Sequence, residues 1–155
     1  LGIRAPLGLE FDSKGELWEA ENGPRGGDEL NHIKAGKNYG WPITTWGLRY
    51  DAIPNPANPE QEGMEPPAAS WSPSPAFSGL AIYDGKAFPR WKDNFLIGSM
   101  MQMDLFRVVM DGDRAVLQET ILHGVNRIRD VRVSAEGYVY LLTDAGQLLR
   151  LVPAR

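Results

Sequence analysis

The densest set of metal-type donors in this 155-residue sequence is ENGPRGGDELNHIKAGKNYGWP, residues 21–42. Asp28 and Glu29 are hard oxygen donors. Gly23, Gly26 and Gly27 let backbone carbonyls turn toward a common point, and Pro24 stiffens the chain beside them. Calcium takes roughly six to eight oxygens, many of them carbonyls, at tolerant angles, so the stretch has the composition of a calcium loop. Its spacing is not that of an EF-hand. Residue types alone describe equally well a Gly-rich hairpin with its acids in water. Other chemistry is sparse: there are two histidines, His32 and His123, and with no cysteine there is no disulfide and no thiolate metal site.

The elements that must hold these residues read as strands. Gly (17) and Pro (12) are abundant and aromatic residues make up 10% of the chain, which suits a turn-rich β protein. LGLEFDSKGELWEAENG reads as strand, tight turn, strand, and IRDVRVSAEGYVYLLTDAGQLLRLVP repeats the scheme. Aligning Gly15 with Gly137 places Leu17 on Val139 and Trp18 on Tyr140, an internal repeat of one β-meander. Between them SGLAIYDG, NFLIGSM, DLFRVVMDGD and AVLQETIL form a further module, and PRWKDN is at most a short helical turn. Modules are expected at about 1–42, 76–122 and 125–155, with 43–75 a long Pro-, Glu- and Trp-rich loop over one face.

Short strands with tight Gly turns and modular repetition point to propeller blades. Blades of four strands take roughly 40–45 residues and propellers have about 4–8 blades, so this chain supplies about three. Open edges would then be closed by the rest of a larger propeller or by a second copy. Net charge is −4 with no basic stripe, which argues against a nucleic-acid partner. No apolar run approaches the ~20 residues of a membrane helix.

As a whole, ENGPRGGDELNHIKAGKNYGWP closely resembles the signature segment of the soluble, pyrroloquinoline quinone (PQQ)-dependent aldose sugar dehydrogenases, the glucose/sorbosone dehydrogenase-like family of six-bladed propellers. LGIRAPLGLEF, TTWGLRY, SPSPAFSGLAIYDG, FPRWKDNFLIGS and NRIRDVRVSAEGYVYLLTD continue the resemblance in the family's order, so the chain looks like the C-terminal portion of such an enzyme. The resemblance implies an all-β fold and oxidation of an aldose C1 hydroxyl to the lactone. It also implies calcium and PQQ as cofactors and a periplasmic or secreted location. The carbonyls of Gly23 and Pro24 would bind the calcium that grips the quinone; Glu29 and Tyr39 would hold a further calcium. Arg4, Tyr50, Arg127 and Arg129 fall on cofactor-contacting positions, and guanidinium forks suit a tricarboxylated quinone. Read without the family, Arg127 and Arg129 are an alternating solvated strand face. Trp46 and Trp71 are expected to flank the sugar beside Tyr50.

Departures from the pattern bear on function. The family opens Gly-His-Arg-Asn-Pro-Gln-Gly where this chain has Gly2-Ile3-Arg4-Ala5-Pro6-Leu7-Gly8, and a family lysine falls on Met101. A charge-assisted contact and an amide hydrogen bond are worth about 1.5–3 and 0.5–1.5 kcal/mol, so their loss would weaken quinone binding by roughly several tens of fold. The family's base histidine lies in the N-terminal half. Neither His32 nor His123 occupies its position, so no catalytic residue is assigned. The alternative is a calcium-stabilised propeller that has lost the quinone and serves as an interaction module, including as a homodimer of half-propellers.

Overall fold

The computed structural model describes residues 1–50 and 59–154; residues 51–58, within the Pro- and Glu-rich loop, lie outside them. Among the described residues there are eleven strands, one 3₁₀ turn (Pro89–Trp91) and no α-helix. The first antiparallel sheet has the order β1 (Pro6–Phe11), β2 (Leu17–Glu21), β3 (Asp28–Ile33), β4 (Ala69–Trp71). The second has β5 (Phe77–Ile82), β6 (Phe95–Ser99), β7 (Leu105–Asp111), β8 (Arg114–Leu122). The third has β9 (Ile128–Val133), β10 (Val139–Thr143), β11 (Leu148–Leu151).

The repeat read from Gly15 and Gly137 is a repeated hairpin. Gly15 takes φ 81° and Gly137 φ 86°, in the left-handed region where glycine carries no Cβ penalty. Both turns close with the same two bonds: Gly15 N–H to Asp12 O and Asp12 N–H to Glu16 O, and Gly137 N–H to Ser134 O and Ser134 N–H to Tyr138 O. β2 and β10 follow them, starting at the aligned residues Leu17 and Val139.

The first strands of the three sheets lie side by side, β1 on β5 and β5 on β9. Glycine permits this approach: a Cβ on Gly8 would stand 2.5 Å from Leu80 Cβ, and one on Gly79 2.6 Å from Asp130 Cα. Trp18, Leu30, Phe77, Phe95 and Val108 fill the space between the first two sheets, while Tyr83, Leu96, Ile128, Val131 and Leu141 fill that between the second and third. The middle sheet is covered on both sides, so β5 and β6 are buried at every position and their sequences run apolar or small rather than alternating.

The stretch 43–75 is not loop throughout. Ala69–Trp71 pairs with β3, with Asp28 opposite Trp71, so the first sheet extends past the expected module end at 42 and gains its fourth strand from within the loop. Three residues bounded by prolines are too short to show strand alternation, and only the partner strand defines them. Trp71 consequently packs edge-on against Phe77 in the core, not beside a sugar site.

Candidate functional site

The site is built on the β2–β3 ladder. Register sets Glu19 opposite Asn31 and Glu21 opposite Glu29, so alternation turns all four to one face while Trp18, Ala20 and Leu30 turn to the core. That polar face is nevertheless buried: Glu19 is 1% exposed, Asn31 0%, Glu21 4% and Glu29 6%. Residues from the 38–67 segment, including Tyr39, Thr44 and Met64, wall the space beside Glu29. The Asn31 amide donates to Glu19 Oε2 at 3.1 Å and to Glu29 Oε2 at 3.3 Å, leaving Glu19 Oε1 and Asn31 Oδ1 buried without a hydrogen-bond partner.

Glu19 and Glu29, taken out of water on this face, resist ionisation. Burial, reinforced by the charge of Glu21, pushes Glu19 up to about 8. The same causes raise Glu29, and its interaction with the Glu21 carboxyl raises it further. Buried carboxyls with orphaned acceptors are what a cation would compensate.

The turn from β2 to β3 is held by Asp28. Its Oδ1 accepts from Gly23 N–H at 3.0 Å and its Oδ2 from Phe77 N–H at 2.8 Å, which ties the Gly23–Pro24 turn to the start of β5. A Cβ on Gly23 would collide with the Gly26 carbonyl. A cavity of about 10 Å³ lies inside the turn, lined by Arg4, Glu21, Gly23, Pro24, Glu29 and Tyr39 among others. That is room for one water-sized occupant. Glu29 and Tyr39 also line a larger cavity of about 330 Å³ with Trp46 and Glu65.

Among the described residues, no three His, Asp or Glu side chains form a ready-made metal cluster. A cation here would depend on carbonyl oxygens as much as on carboxylates, as hard-cation sites commonly do. Tyr39 fits only in that way. Its hydroxyl already donates to His32 O and accepts from Lys34 N–H, each at 2.7 Å, so its backbone carbonyl is the oxygen it has to offer.

The candidate cofactor residues share one end of the three sheets. The far ends of the inner strands, at Phe11, Ile82 and Val133, line a common cavity, so their starts lie together at the opposite end. Arg4 lies two residues before the start of β1. Its side chain donates to Asn22 O at 2.7 Å and its guanidinium lies 5.4 Å from the Trp41 ring centre and 5.9 Å from that of Tyr50. Arg127 and Arg129 open β9, and each donates its Nε to one oxygen of Asp144, the Arg127 bond measuring 2.7 Å. Arg129 Nη1 also reaches Met100 Sδ at 2.9 Å, joining β9 to the β6–β7 turn. Contacts therefore run along this rim from Arg4 and Gly23 through Asp28 and Phe77, and on through Met100 to Arg129. Arg4 is linked to the two β9 arginines by way of these intermediaries.

Met101, where the resemblance leads one to expect a lysine, is 65% exposed on this rim, and the Ala5 N–H is committed to Glu21 Oε2 at 3.2 Å. His32 stands at the opposite end, stacked on Trp18 and placed between Glu16 and Asp113. His123 is exposed and paired with Asp104 at 2.8 Å. The residues that sequence reasoning missed are Glu19, Glu21, Asn31 and Asp144. Their signal was the matched alternation Glu19-x-Glu21 and Glu29-x-Asn31, which has meaning only once the register is known.

The family model for glucose/sorbosone dehydrogenases matches residues 1–150, and the chain belongs to that family. Among curated proteins it is similar to the aldose sugar dehydrogenase YliI of Escherichia coli K12, 42% identical over 158 residues covering 98% of this chain and 43% of that protein. Among solved structures it is similar to a glucose dehydrogenase, with TM-score 0.91 and 44% identity over 99% of this chain and 45% of the other. It is also similar to the PQQ-bound form of an aldose sugar dehydrogenase from Streptomyces coelicolor, with TM-score 0.75 and 28% identity over 97% of this chain and 44% of the other. The chain thus spans less than half the length of these relatives.

Proposed function

We propose that this chain is the calcium- and quinone-binding portion of a PQQ-dependent aldose sugar dehydrogenase, about three blades of a six-bladed propeller, working in the periplasm or after secretion. The observation that carries the reading is the gathering of Arg4, the Gly23–Pro24 turn, Arg127 and Arg129 on one rim, linked through Asp28 and Met100. Similarity to sugar dehydrogenases, one of them solved with PQQ bound, supports it.

When bound, the quinone supplies a two-electron acceptor and calcium supplies a Lewis acid. The chain's own residues then have distinct tasks. Gly23 and Pro24 would offer carbonyls to one cation, while Glu29 and the Tyr39 carbonyl would hold a further one. Asp144 occupies the Nε side of Arg127 and Arg129, and Met100 takes Arg129 Nη1, so the Nη groups of Arg127 and the second Nη of Arg129 would face carboxylates. Arg4 adds a third guanidinium and Tyr50 flanks it. The aldose is oxidised at its C1 hydroxyl to the lactone, with the proton acceptor supplied by another part of the enzyme.

A second reading, a calcium-stabilised interaction module without quinone, is favoured by the uncharged, exposed Met101 on the rim. Titrating PQQ into the calcium-loaded chain and into the Ala5→Asn, Met101→Lys variant separates the two. Tight calcium-dependent binding by the unmodified chain is the expected result. Binding by the variant alone would overturn the dehydrogenase reading and leave the interaction module.

A further inference from the structure

Glu21 is 4% exposed and lies between the two halves of the candidate site. Its Oε2 accepts two backbone N–H bonds, from Arg4 at 2.6 Å and from Ala5 at 3.2 Å. Asn22, next in sequence, completes the clasp: its N–H donates to Ala5 O at 3.1 Å, and its carbonyl accepts from Arg4 Nη1 at 2.7 Å. The ladder is irregular here, because register shifts between Pro6 and Gly8 and residues 4 and 5 precede β1. Backbone pairing ends at the Asn22 N–H to Ala5 O bond, and the Arg4 N–H beyond it is held by the Glu21 carboxylate. With the backbone fixed, the Arg4 guanidinium rests against the rings of Trp41 and Tyr50. On its other side Glu21 is the cross-strand partner of Glu29.

We propose that Glu21 is a positioning residue for anion binding: its shared carboxylate oxygen fixes the backbone of Arg4 and so aims the guanidinium at the rim. The inference rests on the quinone-binding reading for the identity of the anion, but the seating of Arg4 is a property of the chain itself. A buried charged acceptor binding two backbone donors is stronger than a neutral one and tolerates little displacement. Glutamine keeps an oxygen at the same reach, whereas alanine leaves both N–H groups without an acceptor.

The experiment compares wild type with E21A, E21Q, R4Q and the E21A/R4Q double variant, all calcium-loaded, with PQQ as the probe. Removing a charge-assisted contact corresponds to a loss of about 10–100-fold in affinity. E21A and R4Q should each show such a loss, the double variant should lose no more than about three-fold beyond either single change, and E21Q should recover most of the E21A loss. A purely structural role for Glu21 would instead give additive losses, which would overturn the proposal.

A quinone-free measurement stands beside it. In the NMR spectrum the Arg4 amide proton should be far downfield and the Arg4 side chain should show contacts to the Trp41 ring. Both should vanish in E21A and persist in E21Q; their survival in E21A would overturn the seating. Failure of wild type to bind PQQ, with these NMR signatures intact, would sink the dehydrogenase reading and leave the seating of Arg4 standing.

Discussion

Without calcium, the chain should lose stability as pH rises from about 5 to 8, and Glu19→Gln should remove a defined part of that loss. Burial places Glu19 at about 8 against an ordinary 4.5. The folded state therefore retains a proton that the unfolded state releases, and between those values stability falls with rising pH. The gap of roughly 3.5 units, at about 1.36 kcal/mol per unit, comes to about 5 kcal/mol. That is comparable with the whole stability of a small domain, about 5–15 kcal/mol. Glu29 and Asp28 are also raised by burial and add to the slope in the same sense. Asp12, Glu65, Asp113, Glu136 and Asp144 are lowered, so their contribution is lost only as pH falls below the ordinary carboxylate range and leaves this window untouched. Lys34 is raised and acts only above its ordinary 10.5. Urea unfolding in chelator at half-unit steps from pH 5 to 8 measures the slope. Glu19→Gln should flatten it by about one proton, roughly 1.4 kcal/mol per pH unit, and be the more stable protein at pH 8. A wild-type stability that is flat or rising across this range, or an unchanged slope in the variant, would refute the buried neutral acid.

Calcium should stabilise the chain more at pH 8 than at pH 6 and release protons on binding, because a carboxyl ligand must ionise to hold it; calorimetry in buffers of different ionisation enthalpy reads this directly, and proton-neutral binding would count against Glu29 as a ligand. Tyr39→Phe removes a hydroxyl that bridges His32 O and Lys34 N–H, and should cost about 1–3 kcal/mol by denaturant unfolding. Calcium affinity should stay within about two-fold, since the carbonyl and not the phenol is the proposed ligand; a larger loss would restore the phenol as ligand. Gly79→Ala sets a Cβ against the Asp130 backbone. It should destabilise by about 1–3 kcal/mol or more as the second and third sheets are forced apart, and a neutral effect would mean that β5 and β9 have room to separate.

Much of the architecture was legible because its causes are local. Gly15 and Gly137 announce their hairpins through the left-handed conformation that a tight turn needs. The all-β reading followed from short strands between such turns, and the motif order carried the family. β4 escaped because Ala69–Trp71 is a strand only by virtue of β3. Trp71 was misplaced for the same reason: an aromatic in a Pro-rich stretch looks exposed until that stretch is folded back on the sheet. Asp144 read merely as a turn residue, since nothing near it in sequence shows that it receives both Arg127 and Arg129.

The residues 21–42 show the division most clearly. Sequence alone showed that Gly23 and Pro24 lie close before Asp28 and Glu29 in a stretch rich in oxygen donors. It left open whether those acids face water. Tertiary structure decided that by register, which sets Glu21 against Glu29 and Glu19 against Asn31, and by Tyr39, Thr44 and Met64, which wall the space beside Glu29. Burial changes the acids from ordinary surface charges into groups that resist ionisation without a cation, because the free energy of a charge depends on the medium around it. That medium is assembled by contacts between residues distant in the chain.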